Sequence, residues 1–266
     1  MKFLITSLLT LATVFVNAQM DDKFYFPKKD LKPIQWKNYI ELNFSIEADT
    51  VTTIILKPNN SQPKATIFYF HGSGGNLTYY IPITLKMVEN NFQVVMIDFR
   101  GYGKSTGIPT HKNIAKDGQI VFENLLKRKD IQQTKKIIYG ASIGTQIATL
   151  IAKNNQCEIS GLILEGAMSS FGDIAGFYTP EYKEYLKKNY ISPYAAKEDI
   201  KTLTQIPKLI IHSKKDKEVP YKQGKIIFEN APKPKTFLDF EGEHLQGMKF
   251  ESKKILNKIS KMANLK

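Results

Sequence analysis

A serine hydroxyl is a weak nucleophile until a base takes its proton, and the base works best when a carboxylate orients it. Three residues could fill these roles in chain order: Ser142, Asp216 and His244. Ser142 lies in Gly140-Ala141-Ser142-Ile143-Gly144, a G-x-S-x-G pattern between the apolar run 135–139 and the helix-forming run 146–152. This context predicts a sharp strand-to-helix turn whose strained backbone holds the hydroxyl clear of the fold, with flanking glycines that let strand and helix approach closely. Asp216 follows the apolar run 208–212, and His244 follows the run 236–240. Both therefore fall on loops at the C-terminal ends of strands, where reactive groups of α/β sheets gather.

Acyl transfer also needs N–H donors aimed at the developing oxyanion. The turn His71-Gly72-Ser73-Gly74-Gly75-Asn76 follows the apolar run 66–70, and the Ser73 N–H is the expected donor. The N–H of Ile143, next to the nucleophile, is its expected partner. Of the four histidines, His71 reads as a structural hydrogen-bonder, His212 as a packing residue within a strand, and His111 as a surface residue. Glu165 also ends a strand and rivals Asp216 as the triad acid. Asp98 and Arg100 are expected to pair within the loop after their strand.

These residues need a scaffold. Tyr39–Glu47 and Val51–Lys57 alternate as an antiparallel hairpin at a sheet edge. From Ala65 onward, strand-like runs near 66–70, 93–98, 135–139, 161–165, 208–212 and 235–240 alternate with helical runs near 78–90, 112–129, 143–154, 221–230 and 249–263. Such alternation means a mostly parallel sheet of about eight strands with helices on both faces. Residues 19–38 read as an irregular lead-in.

The motifs together resemble the α/β-hydrolase superfamily, in particular small lysophospholipase-like and serine esterase-like members. The resemblance rests on Phe70-His71-Gly72-Ser73-Gly74-Gly75-Asn76, Asp98-Phe99-Arg100-Gly101-Tyr102-Gly103-Lys104-Ser105, the Ser142 turn, Asp216-Lys217-Glu218-Val219-Pro220 and Gly242-Glu243-His244. It runs from about residue 39 to the C-terminus. It implies the α/β-hydrolase fold and favours Asp216 over Glu165 as the acid. It also implies a short lid insertion over the nucleophile, about 168–204, which holds Phe171, Phe177, Tyr178, Tyr182, Tyr185, Tyr190 and Tyr194. The implied activity is hydrolysis of a carboxylic ester of small to medium acyl size through an acyl-enzyme. The same scaffold hosts peptidases, amidases and thioesterases, and a binding protein that kept the fold without catalysis is the non-enzyme alternative. No cofactor and no metal ion are expected.

Composition bounds the rest. The chain has 266 residues, enough for one sizeable α/β domain, here 19–266. Residues 1–18, with Lys2, an apolar stretch from Phe3 to Val16 and Val16-Asn17-Ala18, read as a secretory signal peptide. That implies export to a bacterial periplasm or the medium. No later apolar run approaches the roughly 18 residues that a membrane span needs. The one cysteine, Cys157, leaves no internal disulfide and reads as a structural thiol. The net charge is +13, nearly all from scattered lysines, with arginine only at positions 100 and 128. Nucleic-acid readers favour forked guanidinium contacts on a concentrated basic face, so no nucleic-acid partner is expected; the partner that the resemblance implies is a small-molecule ester or related acyl substrate. N-glycosylation patterns occur at Asn43, Asn59 and Asn76; a glycan on Asn76 would crowd the turn that carries Ser73.

Overall fold

Strands buried on both faces read as continuous apolar runs, and those runs build the centre of this sheet. The computed structural model describes residues 20–59 and 62–264. The signal peptide expected over 1–18, and the export it implies, lie outside the described residues. The strands are β1 (Phe26–Pro27), β2 (Tyr39–Ile46), β3 (Asp49–Leu56), β4 (Ala65–Phe70), β5 (Gly74–Gly75), β6 (Gln93–Ile97), β7 (Lys135–Ala141), β8 (Gly161–Glu165), β9 (Lys208–Ser213) and β10 (Lys235–Phe240). Eight of them form one sheet in the order β10-β9-β8-β7-β4-β6-β3-β2. Only the β2–β3 and β3–β6 pairs are antiparallel. Strands β4, β6, β8 and β9 are buried along their whole length, whereas the edge strands β2 and β10 keep exposed positions.

Helices cover both faces. Buried side chains of the helices His111–Leu125 and Gly144–Asn154 form one core with the sheet, and those of Leu77–Glu89 and Ser252–Ala263 form the other. The helix expected over 112–129 ends at Leu125, and the chain restarts as a separate short helix Lys129–Gln132 after an extended Arg128. From β4 the chain runs to β6 on one side, then crosses to β7 on the other. The strand order thus reverses at β4, and a crevice opens beyond the C-terminal ends of β4 and β7, the place where open α/β sheets bind ligands.

The lid segment folds as two helices, Phe171–Tyr178 and Lys183–Asn189, followed by the short helix Ala196–Asp199. The lead-in is more ordered than its sequence suggests. Its strand β1 pairs in parallel with β5, inside the Ser73 turn.

Candidate active site

Ser142 stands at the end of β7, one residue before the helix Gly144–Asn154 cap, with φ of 53°. A non-glycine residue in this left-handed region is strained, and the surroundings must hold it there. The Ser142 N–H donates to the Glu165 carbonyl at 2.9 Å, and the Ser142 carbonyl accepts from the Thr145 N–H at 2.9 Å and its hydroxyl at 2.6 Å. Gly140 lets the helix approach: a Cβ there would stand 2.7 Å from the Ala148 Cβ.

Asp216 and His244 come together. Asp216 Oδ2 lies 2.6 Å from His244 Nδ1. Its Oδ1 accepts the N–H groups of Glu218 at 3.0 Å and Val219 at 2.8 Å. Burial pushes this carboxyl up, but the His244 contact and the Val219 N–H outweigh it and hold its pKa below the ordinary aspartate value. His244 Nε2 is buried and has no hydrogen-bond partner among the described residues. With the proton on Nδ1 toward the carboxylate, Nε2 carries a free lone pair. Gly166 makes room for the ring, since a Cβ there would stand 3.0 Å from His244 Nδ1. Ser142 and His244 face the same cavity but share no hydrogen bond, as in many unliganded sites that tighten only around substrate.

Glu165 sits elsewhere. It is fully buried; Oε1 accepts the Gly247 N–H at 2.7 Å and Oε2 accepts the Tyr139 hydroxyl. It therefore braces the loop just after His244 without touching the imidazole nitrogens. Burial pushes its carboxyl above the ordinary glutamate value. His212 packs behind the acid: its Nε2 donates to the Val219 carbonyl at 2.9 Å, while Nδ1 is left without a partner among the described residues.

Ser73 and Ile143 both line the cavity, and neither N–H donates to another described residue. His71 fixes the turn, as expected of a structural residue: its ring bonds the Gly72 carbonyl at 2.7 Å and receives the Phe99 N–H at 3.4 Å. Because a trans peptide directs its C=O and N–H oppositely, the bond to the Gly72 carbonyl turns the Ser73 N–H the other way.

Three expectations fail. His111 is buried, with Nδ1 2.7 Å from the Tyr25 hydroxyl, Nε2 3.1 Å from that of Tyr190, and its ring stacked on Phe171. Partners some eighty residues away cannot be read from local sequence. Arg100 binds Asp117 through Nε at 2.7 Å and Asp49 through Nη1 at 2.8 Å, whereas Asp98 accepts the Leu77 N–H at 2.7 Å. Cys157 is exposed on a short 3₁₀ turn and has no packing role. The lid rings divide: Tyr178, Tyr182 and Tyr185 line the cavity, Phe171, Tyr190 and Tyr194 pack beneath the lid, and Phe177 is exposed against Tyr178.

The cavity encloses about 1080 Å³. Its walls are mostly apolar, with Ile174 and Leu186 from the lid, Phe24 and Phe26 from the lead-in, and Glu218 and Lys23 as charges. Asn76, the residue of the third glycosylation pattern, is buried; its amide donates to the Lys28 and Asp30 carbonyls and its oxygen caps the helix Leu77–Glu89.

The chain is similar to several known proteins. A family model described as serine aminopeptidase, S33, matches residues 61–190. Protein bem46 of Schizosaccharomyces pombe is 30% identical over 190 residues, 71% of this chain and 64% of that protein, so the chain matches just under two thirds of its length. YfhR of Escherichia coli K12, an uncharacterized protein, is 28% identical over 229 residues, 84% of this chain and 79% of that one. Among solved structures, the Pyrococcus furiosus esterase Pf2001 superposes with a TM-score of 0.70 at 13% identity, covering 89% of this chain and 97% of that chain, a likeness of fold.

Proposed function

The chain belongs to the α/β-hydrolase superfamily, and we propose that it is a serine hydrolase cleaving carboxylic esters through an acyl-enzyme. The observation that carries this reading is the Asp216–His244 contact of 2.6 Å, with Nε2 left unpaired in the cavity that Ser142, in a left-handed turn, also lines. In the first half-reaction Ser142 Oγ bonds to the ester carbonyl carbon as its proton passes to His244 Nε2. The Asp216 carboxylate stabilises the resulting imidazolium. The Ser73 and Ile143 N–H groups receive the oxyanion. Collapse expels the alcohol, which leaves with the proton from Nε2. Water then attacks the acyl-enzyme by the same route in reverse, and the free acid departs. No step needs a metal or a cofactor.

The cavity, about 1080 Å³, lies at the upper end of the roughly 300–1,000 Å³ range of small-molecule pockets. It accommodates the small to medium acyl groups of the sequence reading and leaves room for longer ones. A hydrolysis screen of p-nitrophenyl esters from acetyl to decanoyl, run beside Ser142→Ala, tests the reading. Turnover that rises with chain length and vanishes in the variant supports it. No turnover of any ester, or equal turnover by the variant, overturns it.

The match to a serine aminopeptidase model favours a second reading. Glu218, whose side chain is 71% exposed, lines the cavity with its carboxylate 3.9 Å from His244 Nε2, where an α-ammonium could pair with it. Aminoacyl p-nitroanilides in the same screen separate the two: faster cleavage of these than of any ester decides for the peptidase.

A further inference from the structure

The turn that carries Ser73 is held from outside the catalytic loops. Its four consecutive carbonyls are all occupied. The Gly72 carbonyl is bonded by His71 at 2.7 Å, that of Gly74 by the Tyr80 hydroxyl at 2.9 Å, and that of Gly75 by the Lys28 N–H at 2.8 Å. The Ser73 carbonyl is held twice, by the Phe26 N–H at 2.9 Å and by the Tyr102 hydroxyl at 2.6 Å. The Phe26 N–H is also 3.1 Å from the Tyr102 oxygen, so strap, tyrosine and turn form one knot. Tyr102 is fully buried, and the Gly103 N–H donates to the Lys28 carbonyl at 3.0 Å. The segment 24–28 is therefore strung between the Ser73 turn and the loop after β6. Phe24 and Phe26 of the same segment also wall the cavity.

We propose that Tyr102 and the main chain of Phe26 are positioning residues that aim the Ser73 N–H at the oxyanion, which makes the lead-in strap a working part of the site. The inference rests on the serine-hydrolase reading. The Ser73 N–H shares its peptide unit with the Gly72 carbonyl that His71 holds; Tyr102 and the Phe26 N–H hold the next unit, across the Ser73 Cα, so the two units cannot rotate together and the N–H needs no reorganisation as charge develops. Removing a donor of this kind costs about 10²–10³ in turnover, and a misplacement of about 1 Å costs about 10². Loosening the turn without deleting the donor should cost less than deletion.

Tyr102→Phe removes the hydroxyl and keeps the ring. Phe26→Pro removes the N–H and leaves the hydroxyl in place. Both are tested by steady-state hydrolysis of one ester, with kcat expressed per site titrated by a fluorophosphonate, so that misfolded protein lowers the titre and not the rate. Expected is a fall in kcat of roughly 10–100-fold in each variant, with KM within about twofold in Tyr102→Phe; Phe26→Pro also deletes a ring of the cavity wall, so its kcat is compared with that of Phe26→Ala, which loses the ring and keeps the N–H. Affinity for an alkyl boronate, which mimics the tetrahedral intermediate, should fall in parallel with kcat/KM. Unchanged kcat per titrated site in both variants overturns the inference while leaving the parent enzyme's reading intact. If the parent itself neither labels nor turns over any ester, the serine-hydrolase reading fails and this inference falls with it.

Discussion

Replacing Asp216 with Asn separates the carboxylate's charge from its shape. Oδ1 accepts two N–H groups, from Glu218 and Val219, at 3.0 and 2.8 Å. Those donors require an oxygen, so the amide of Asp216→Asn keeps its oxygen there and turns its NH₂ toward His244 Nδ1. Nδ1 must then accept, the ring proton moves to Nε2, and Nε2 can no longer take the serine proton. The imidazolium also loses its counter-ion. At 2.6 Å and an effective dielectric of about 20, the gross attraction is about 6 kcal/mol before desolvation is subtracted. A net loss of about 4–5.5 kcal/mol remains reasonable, which corresponds to a fall in kcat of about 10³–10⁴. The assay is p-nitrophenyl ester hydrolysis at pH 8, with thermal unfolding to verify that the variant keeps the parent's fold. If Asp216→Asn retains more than about a tenth of the parent kcat, the tautomer argument is refuted and another group orients His244.

Glu165→Gln should keep turnover within about tenfold, because an amide oxygen can still accept the Gly247 N–H; a loss as deep as that of Asp216→Asn would make Glu165 the acid. Tyr182→Ala should alter the acyl chain-length profile through KM, since burial of a methylene contributes about 0.8 kcal/mol, while Phe171→Ala, buried under the lid, should leave the profile alone and cost about 3–5 kcal/mol of stability. Kinetics across an ester series and unfolding curves distinguish the two, and a profile moved only by Phe171→Ala would contradict the assignment of the cavity wall. Burial lowers the His111 pKa from 6.5 to about 3, so the unfolded chain binds the proton first as pH drops. Stability from neutral His111 is complete above about pH 6.5 and is lost between there and about pH 3, by up to about 5 kcal/mol. Thermal midpoints of His111→Asn should therefore fall less than the parent's between pH 7 and pH 4, and equal falls would contradict the burial argument.

What the sequence made legible has a common physical character. Ser142, Asp216 and His244 each follow a continuous apolar run, and such runs become buried strands whose ends define the crevice. The glycines around Ser142 report a close approach that only that residue type permits. The signals that were missed are non-local or carried by the main chain. The β1–β5 pairing spans two residues on each side and is made of backbone bonds, so neither periodicity nor residue type announces it. Tyr102 lies in a glycine-flanked loop where nothing in the sequence ties its hydroxyl to Ser73, 29 residues earlier. His111 reads as a surface residue because its cover, Tyr25 and Phe171, comes from the lead-in and the lid. The lid's aromatic content was plain, yet which rings meet the cavity depends on the phases of two short helices broken by Pro180.

The most direct test of the account is the site of covalent attack. Purified protein treated with an alkyl fluorophosphonate and digested for mass spectrometry should carry one adduct, on Ser142, in proportion to lost ester turnover. Ser142→Ala should take up none, and His244→Ala should label at least about 10² times more slowly. An adduct on another residue, or full ester turnover by protein whose Ser142 is quantitatively modified, would contradict the assignment of Ser142 as the nucleophile.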